Sequence, residues 1–251
     1  MNKIPKIIHY CWLSNDPFPE LISQCIASWK KFLPDYEFML WDTNRFDLET
    51  SIWAKEAYSA KKYAFAADYI RIYSIYKFGG IYLDTDVEVL KSLNPFLHHS
   101  AFTGFENKTE IEAAIIGAEK GHPWLKDILD YYDGRRFIRE DGSYDQKILP
   151  VIMSLITVDK YGFQLDGQKQ VLKNDIHIYP EDYFSPKNIR TLKIHKTKNS
   201  VTIHHFNAGW IKKGFTYKFK RFLHHLLMLT GESFHLKIVK FLRKFTGNSE
   251  L

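Results

Sequence analysis

The chain has 251 residues, 45% hydrophobic and 25% charged, with a formal net charge of +6. That length suffices for one large domain with a substantial core, and two cysteines, Cys11 and Cys25, are too few for a disulfide framework. No stretch approaches the ~18 uninterrupted apolar residues of a membrane span, and Met1-Asn2-Lys3-Ile4-Pro5 runs straight into a strand signal without the apolar core of a secretion signal, so a cytoplasmic location is expected.

Lys6 to Trp12 reads as a buried first strand. Phe18 to Leu33 reads as a helix with Leu21, Ile22, Cys25, Ile26, Trp29 and Phe32 on its apolar side, broken by Pro34-Asp35. Tyr36 to Trp41 reads as a second strand, and a long helix follows over Ala64 to Tyr76. Within it Asp68 and Arg71 stand three residues apart, on one face, where they can pair or jointly grip a polar ligand. Phe65, Ile70, Ile72, Ile75 and Tyr76 leave this helix little polar surface, which puts the charged pair at a cleft rather than on open solvent.

Gly79-Gly80 ends that helix and lets the backbone reverse into Ile81-Tyr82-Leu83, a strand signal that runs into Asp84-Thr85-Asp86. If the strand persists that far, residues i and i+2 point to one side and both carboxylates face one divalent ion. Hard oxygen ligands suit magnesium, manganese or calcium, ions that commonly carry nucleotide phosphates. An Asp-x-Asp triplet alone also occurs in turns and solvated edges. Beyond it come a predicted strand at Ala101 to Phe105, a helix after His122-Pro123, another from about Asp145 to Val158, and strands near Val171 to Tyr179 and Val201 to Phe206. Strands and helices alternating at these lengths predict an α/β sheet with helices on its faces.

From Lys212 onward nine Lys or Arg stand against Glu232 and Glu250, a balance of +7 that leaves the rest of the chain at −1. Phe and Leu recur there at near-helical spacing between the basic residues. Two amphipathic helices fit this pattern, either on an anionic membrane surface or packed on the core with solvated lysines outside. A nucleic-acid binder spreads positive charge across its cleft, and the near-neutral remainder excludes nucleic acid as the expected partner.

Four segments in order resemble the DXD-motif sugar transferases of glycosyltransferase family 32. They are Ile4 to Trp12, Ala60 to Arg71, the glycine-to-DXD stretch, and His204-His205-Phe206-Asn207-Ala208-Gly209-Trp210, so the resemblance covers about residues 4 to 211. It implies a GT-A type fold, a Rossmann-like mixed sheet flanked by helices, over residues 1–214; the charge and apolar pattern adds a basic amphipathic helical tail over 215–251. It implies a metal-dependent enzyme that moves a sugar from a nucleotide-sugar donor, UDP-sugars foremost, to a hydroxyl of a glycan or glycolipid acceptor. Retention at the anomeric centre follows from the same likeness, whereas a part in capsule or lipopolysaccharide synthesis and peripheral membrane contact are expected from the basic amphipathic tail and the lack of an apolar anchor.

Residue by residue, the resemblance makes Asp86 a direct metal ligand and gives Asp84 the ribose, or the metal through water. Manganese is the implied ion, with magnesium as the alternative. Adjacent strand residues face opposite ways, so one of His204 and His205 can reach the metal; the family position favours His205, with His204 a satisfied core histidine. Trp12 is implied to stack on the nucleobase, Asp68 to bind sugar hydroxyls, Arg71 the sugar or diphosphate, and Asn207 the donor. Trp210 is implied to donate its indole N–H to the leaving diphosphate. Tyr82 reads either as a phosphate hydrogen-bond donor or as a core tyrosine, and Glu106 as an acceptor contact. The chain departs from the family at Gly209, where serine is frequent, and at Phe206, where tryptophan is. An aspartate-nucleophile phosphatase also places Asp-x-Asp after an apolar strand, but Glu88 replaces the small residue expected there and no later acidic pair is evident. A non-enzymatic anion-binding module rests on the tail alone.

Overall fold

The first strand and helix signals become β1 (Ile7–Cys11), α1 (Glu20–Phe32) and β2 (Glu37–Trp41) in a computed structural model that describes residues 2–14, 16–107, 109–189 and 191–207. The expected tail over 215–251, its boundary, Gly209 and Trp210 lie outside the described residues. α2 (Ile52–Ser59) occupies the polar stretch that carried no element in the sequence reading, and α3 (Tyr63–Phe78) is the helix of Asp68 and Arg71. β3 (Gly80–Leu83) and β4 (Val87–Val89) flank the acids, followed by β5 (Ala101–Asn107), β6 (Glu110–Ile111) and β7 (Ile115–Ala118). α4 (Pro123–Tyr131), α5 (Leu149–Tyr161), β8 (Gln170–Leu172), β9 (Ile176–Tyr179), α6 (Glu181–Phe184) and β10 (Thr202–His204) complete the order.

The main sheet runs β2-β1-β3-β7-β5-β9-β8, with β6 on β5. β2, β1 and β3 are parallel, β7 runs against both β3 and β5, and β9 lies parallel to β5. This is the mixed α/β sheet flanked by helices that a GT-A type fold requires. Period-two alternation splits its side chains between two cores: Tyr82, Ile116 and Phe105 pack with α2 to α5, whereas Ile8, Ile81, Leu83 and Phe102 pack with Trp29 of α1, Phe96 and Phe184. Both cysteines are buried and free, and burial pushes each thiol up to about 12, so they remain protonated fillers.

Two boundaries differ from the sequence reading for local reasons. The helix expected from about Asp145 starts at Leu149, where Pro150 supplies a first-turn residue that lacks an N–H to lose, and it closes on left-handed Gly162. The single strand expected near Val171 to Tyr179 is a hairpin, because Asn174 and Asp175 both take φ near +60° and reverse the chain between β8 and β9. Among the described residues no helix is long and apolar enough to cross a membrane.

Candidate metal and donor site

The acids sit where a buried strand stops. β3 ends at Leu83, and the Val87 amide donates to the Asp84 carbonyl at 2.9 Å, so Asp84-Thr85-Asp86-Val87 is a tight turn and not a continued strand. Turn geometry, rather than strand alternation, brings the two carboxylates together. The turn is braced from both sides: Asp84 N–H donates to Ala114 O at 2.8 Å, and the Trp29 indole donates to Val87 O at 2.7 Å.

Upstream, a histidine sets the start of β3. The Trp41 indole can only donate, so His9 Nδ1 accepts from it at 3.1 Å, and Nε2 must then carry the hydrogen that goes to Gly79 O at 2.8 Å. Burial, against the raising effect of the Gly79 contact, lowers His9 to about 4, which keeps this tautomer neutral. Gly80 passes at φ +115°, with a Cβ position only 2.7 Å from Ile7 O, so no side chain fits at the turn that delivers β3.

Arg71, on the α3 face above this strand, is buried and paired twice. Its Nη2 lies 3.0 Å from Asp84 Oδ1 and 3.3 Å from Asp68 Oδ1, while Nη1 donates to Ala113 O. The guanidinium lies 4.7 Å from the Tyr82 ring centroid, and the Tyr82 hydroxyl donates to Asp84 Oδ1 at 3.0 Å. Burial raises Asp68 to about 6 and raises Asp84 as well; Arg71 opposes both shifts, and the Asp86 charge adds to the rise at Asp84. Arg71 Nε is buried without a partner among the described residues.

The histidine pair parts as strand alternation demands, and the side chain beside the acids is that of His204, not the expected His205. His205 Nε2 meets Glu88 Oε2 at 2.9 Å, away from the Asp-x-Asp pair, and its backbone N–H donates to Asp86 O at 3.0 Å. It is His204 that faces the acids, with Nε2 3.6 Å from Asp86 Oδ1 and Nδ1 3.4 Å from Glu112 Oε2. The reason is register: β10 pairs antiparallel with β4, His204 opposite Val87, and this turns the last strand residue toward the Asp-x-Asp turn. The Asn207 amide donates to Asp86 Oδ2 at 2.7 Å, a backbone contact that fixes that carboxylate.

Ligand atoms of Asp84, Asp86 and His204 all lie within 4.8 Å of one another. Burial works against a charged His204, yet Glu112, Asp86 and Asp84 outweigh it and push the imidazole up to about 10. Carboxylates crowded around one imidazole call for positive charge, which either a proton on His204 or a divalent cation held by the two carboxylates and the neutral histidine supplies. Glu106, at the end of β5, shares this acidic surrounding: burial first, then the Glu112 charge, raises its carboxyl. Trp12 follows β1, whose His9 pairs with Tyr82 of β3, so it leaves the sheet at the same end as the acids. Its half-buried ring edges against Phe18 at 4.9 Å and its N–H donates to Asp16 O at 2.8 Å.

A second group, His99, Asp175 and His177, has ligand atoms equally close. Its geometry is that of a latch. Asp175 accepts from Lys3 and from Ser100 N–H, both at 2.9 Å, and the His99 and His177 rings stack with centroids 3.5 Å apart, so their in-plane lone pairs do not converge on one ion.

Sequence reasoning missed Glu112 and Ser185. The available signal was Glu112 alone in the apolar run Ile111 to Ile116, since an acid in such a run is seldom buried unless partnered.

Residues 19–103 match the family model described as glycosyltransferase sugar-binding region containing DXD motif. The chain is 36% identical over 130 residues to inositol phosphoceramide mannosyltransferase 3 of Schizosaccharomyces pombe, covering 50% of this chain and 36% of that protein. It is 30% identical over 142 residues to the mannosyl phosphorylinositol ceramide synthase SUR1 of Saccharomyces cerevisiae, covering 54% and 37%. An uncharacterized glycosyltransferase, L373 of Acanthamoeba polyphaga mimivirus, is 28% identical over 198 residues, 74% of each chain. The chain thus spans little more than a third of the length of the first two relatives. Among solved structures it is similar to the PaToxG glycosyltransferase, with a TM-score of 0.47 and 18% identity over 62% of this chain and 69% of that one. The galactosyltransferase LgtC gives 0.45 and 14% over 87% and 94%.

Proposed function

We propose that this chain, which carries the DXD-containing sugar-binding region of the glycosyltransferases, transfers a hexose from a nucleoside diphosphate donor to a hydroxyl of a glycan or glycolipid, with a divalent cation at Asp84, Asp86 and His204. The observation that carries this reading is the convergence of those three side chains, within 4.8 Å, beside the buried Arg71. Manganese suits a site that includes imidazole better than magnesium does.

The hard part of sugar transfer is the negative charge that grows on the departing phosphate. A bound divalent cation supplies Lewis-acid neutralisation of that charge. Arg71 adds a fixed positive charge, pre-set by Asp68 and Asp84, that needs no reorganisation when the bond breaks. Asp68, kept near the site by that pairing, is the group to accept hydrogen bonds from the sugar hydroxyls, and Trp12 is the ring to stack on the base. Glu106 faces the acceptor. Trp210, outside the described residues, is assigned the leaving diphosphate by resemblance alone. UDP-hexoses are the first donors to test and GDP-hexoses the second, because two relatives are named as mannosyl enzymes. Those relatives are also named for ceramide lipids, which supports a glycolipid acceptor over a protein.

Retention at the anomeric centre, a part in cell-surface glycan assembly and tethering to anionic membrane by the basic tail complete the reading. An aspartate-nucleophile phosphatase is disfavoured, because Asp84 Oδ1 is already engaged by Arg71 and Tyr82. The test is release of the nucleoside diphosphate from UDP- and GDP-hexoses with manganese, by wild type and by Asp84→Asn with Asp86→Asn. Full activity in the double variant at saturating metal removes the site from the chemistry.

A further inference from the structure

Glu112 is a carboxylate with no access to solvent, a placement that costs several kcal/mol unless the charge is compensated. Its position is fixed at every polar atom. The backbone N–H donates to Gly104 O at 2.8 Å and the carbonyl accepts from the Thr103 hydroxyl at 2.7 Å. Oε1 accepts the Ala114 amide at 2.7 Å, and Oε2 accepts the Ser185 hydroxyl. A carboxylate clamped in this way cannot swing to follow a substrate, and the group its Oε2 faces is His204 Nδ1, at 3.4 Å. That nitrogen is buried and makes no hydrogen bond among the described residues. It stands about half an ångström beyond a charge-assisted hydrogen bond. The Phe206 ring, 4.0 Å from the imidazole, restricts the other side.

We propose that Glu112 is the positioning residue of the metal site, orienting the His204 ring through Nδ1 so that Nε2 presents to the cation beside Asp86. Ser185 serves the same end by holding Glu112. The inference rests on the metal reading of Asp84, Asp86 and His204. It assigns Glu112 no contact with donor or acceptor. Carboxylate partners of ligating histidines fix the ring and raise its basicity, and their loss typically weakens metal binding about 10- to 100-fold.

The test titrates the full chain with manganese alone and reads both affinity and the nitrogen hyperfine coupling of bound manganese by pulsed electron paramagnetic resonance. Glu112→Gln is expected to weaken manganese about 10- to 100-fold and to diminish the imidazole coupling. Ser185→Ala keeps the charge and removes only the clamp, so a loss in the same direction separates orientation from simple charge removal; it also carries the test if Glu112→Gln does not fold. Affinity and coupling equal to wild type in the folded variants overturn the inference while the metal reading stands. Manganese that binds Asp86→Asn and His204→Ala as tightly as wild type removes both.

Discussion

Arg71 holds two carboxylates with one nitrogen, and neither hydration nor a lysine can take its place. Arg71→Lys keeps the charge but loses the planar fork that reaches Asp68, Asp84 and Ala113 O together. Its expected effect is a drop in kcat of about 10²- to 10³-fold with the fold retained, the cost of removing one preorganised donor from a developing charge. Arg71→Ala goes further. Two partly buried carboxylates lose their counter-ion, and urea unfolding is expected to show a loss of about 1–3 kcal/mol.

His9 gives a prediction with a sign. Its folded value of about 4 lies below the ordinary 6.5, so between those values the unfolded chain binds the extra proton. Stability therefore falls as pH drops from 6.5 through 4, by about 3 kcal/mol in all for this one group. His9→Gln, which retains a donor for Gly79 O, is expected to flatten that part of the stability profile, read from urea midpoints at successive pH values. An unchanged slope would falsify the assignment of the titration to His9. The nearness of Asp68 to Arg71 and of Asp84 to Asp86 was legible in the chain because each is local, although the second pair meets through a turn and not through the strand alternation expected. Which of His204 and His205 turns inward was not, because the answer depends on pairing with Val87 far upstream.

At the scale of elements, the site depends on how β3 is delivered and how β4 leaves. The Gly79-Gly80 turn passes under His9, and the Asp-x-Asp turn is held by Trp29 of α1. Gly80→Ala places a Cβ against Ile7 O in a backbone conformation that L-residues avoid. A destabilisation of about 1–3 kcal/mol is expected from the strained backbone alone, seen as a lower urea midpoint. The glycine pair marked this turn in the sequence, and strand β1, helix α1 and helix α3 were readable from periodicity. β6 and β7 were not. They span two and four residues, and β7 carries a glycine where Phe102 packs, so neither shows the length or pattern that identifies a strand from sequence. Because Glu112 lies between them, the most deeply buried acid of the site was lost with them.

For the whole molecule, ligand binding and stability are linked. Manganese with UDP at about a hundred times the dissociation constant stabilises a binding-competent state by ~2.7 kcal/mol, equivalent to roughly 5–10 °C in Tm for a domain of this size. The shift is expected with both ligands together and is expected to vanish in Asp86→Asn. Removal of residues 215–251, which carry most of the net positive charge, is expected to reduce binding to anionic vesicles and to leave donor hydrolysis in place. The α/β class and the position of the acids at a strand exit followed from the order of apolar runs and turn residues; the mixed strand directions did not, since they are set by long-range pairing.

Manganese affinity of four proteins tests the central claim most directly: wild type, Asp86→Asn, His204→Ala and His205→Ala, titrated under one condition. The account predicts tight binding by wild type and by His205→Ala, and large losses in Asp86→Asn and His204→Ala. Binding lost in His205→Ala but retained in His204→Ala contradicts it.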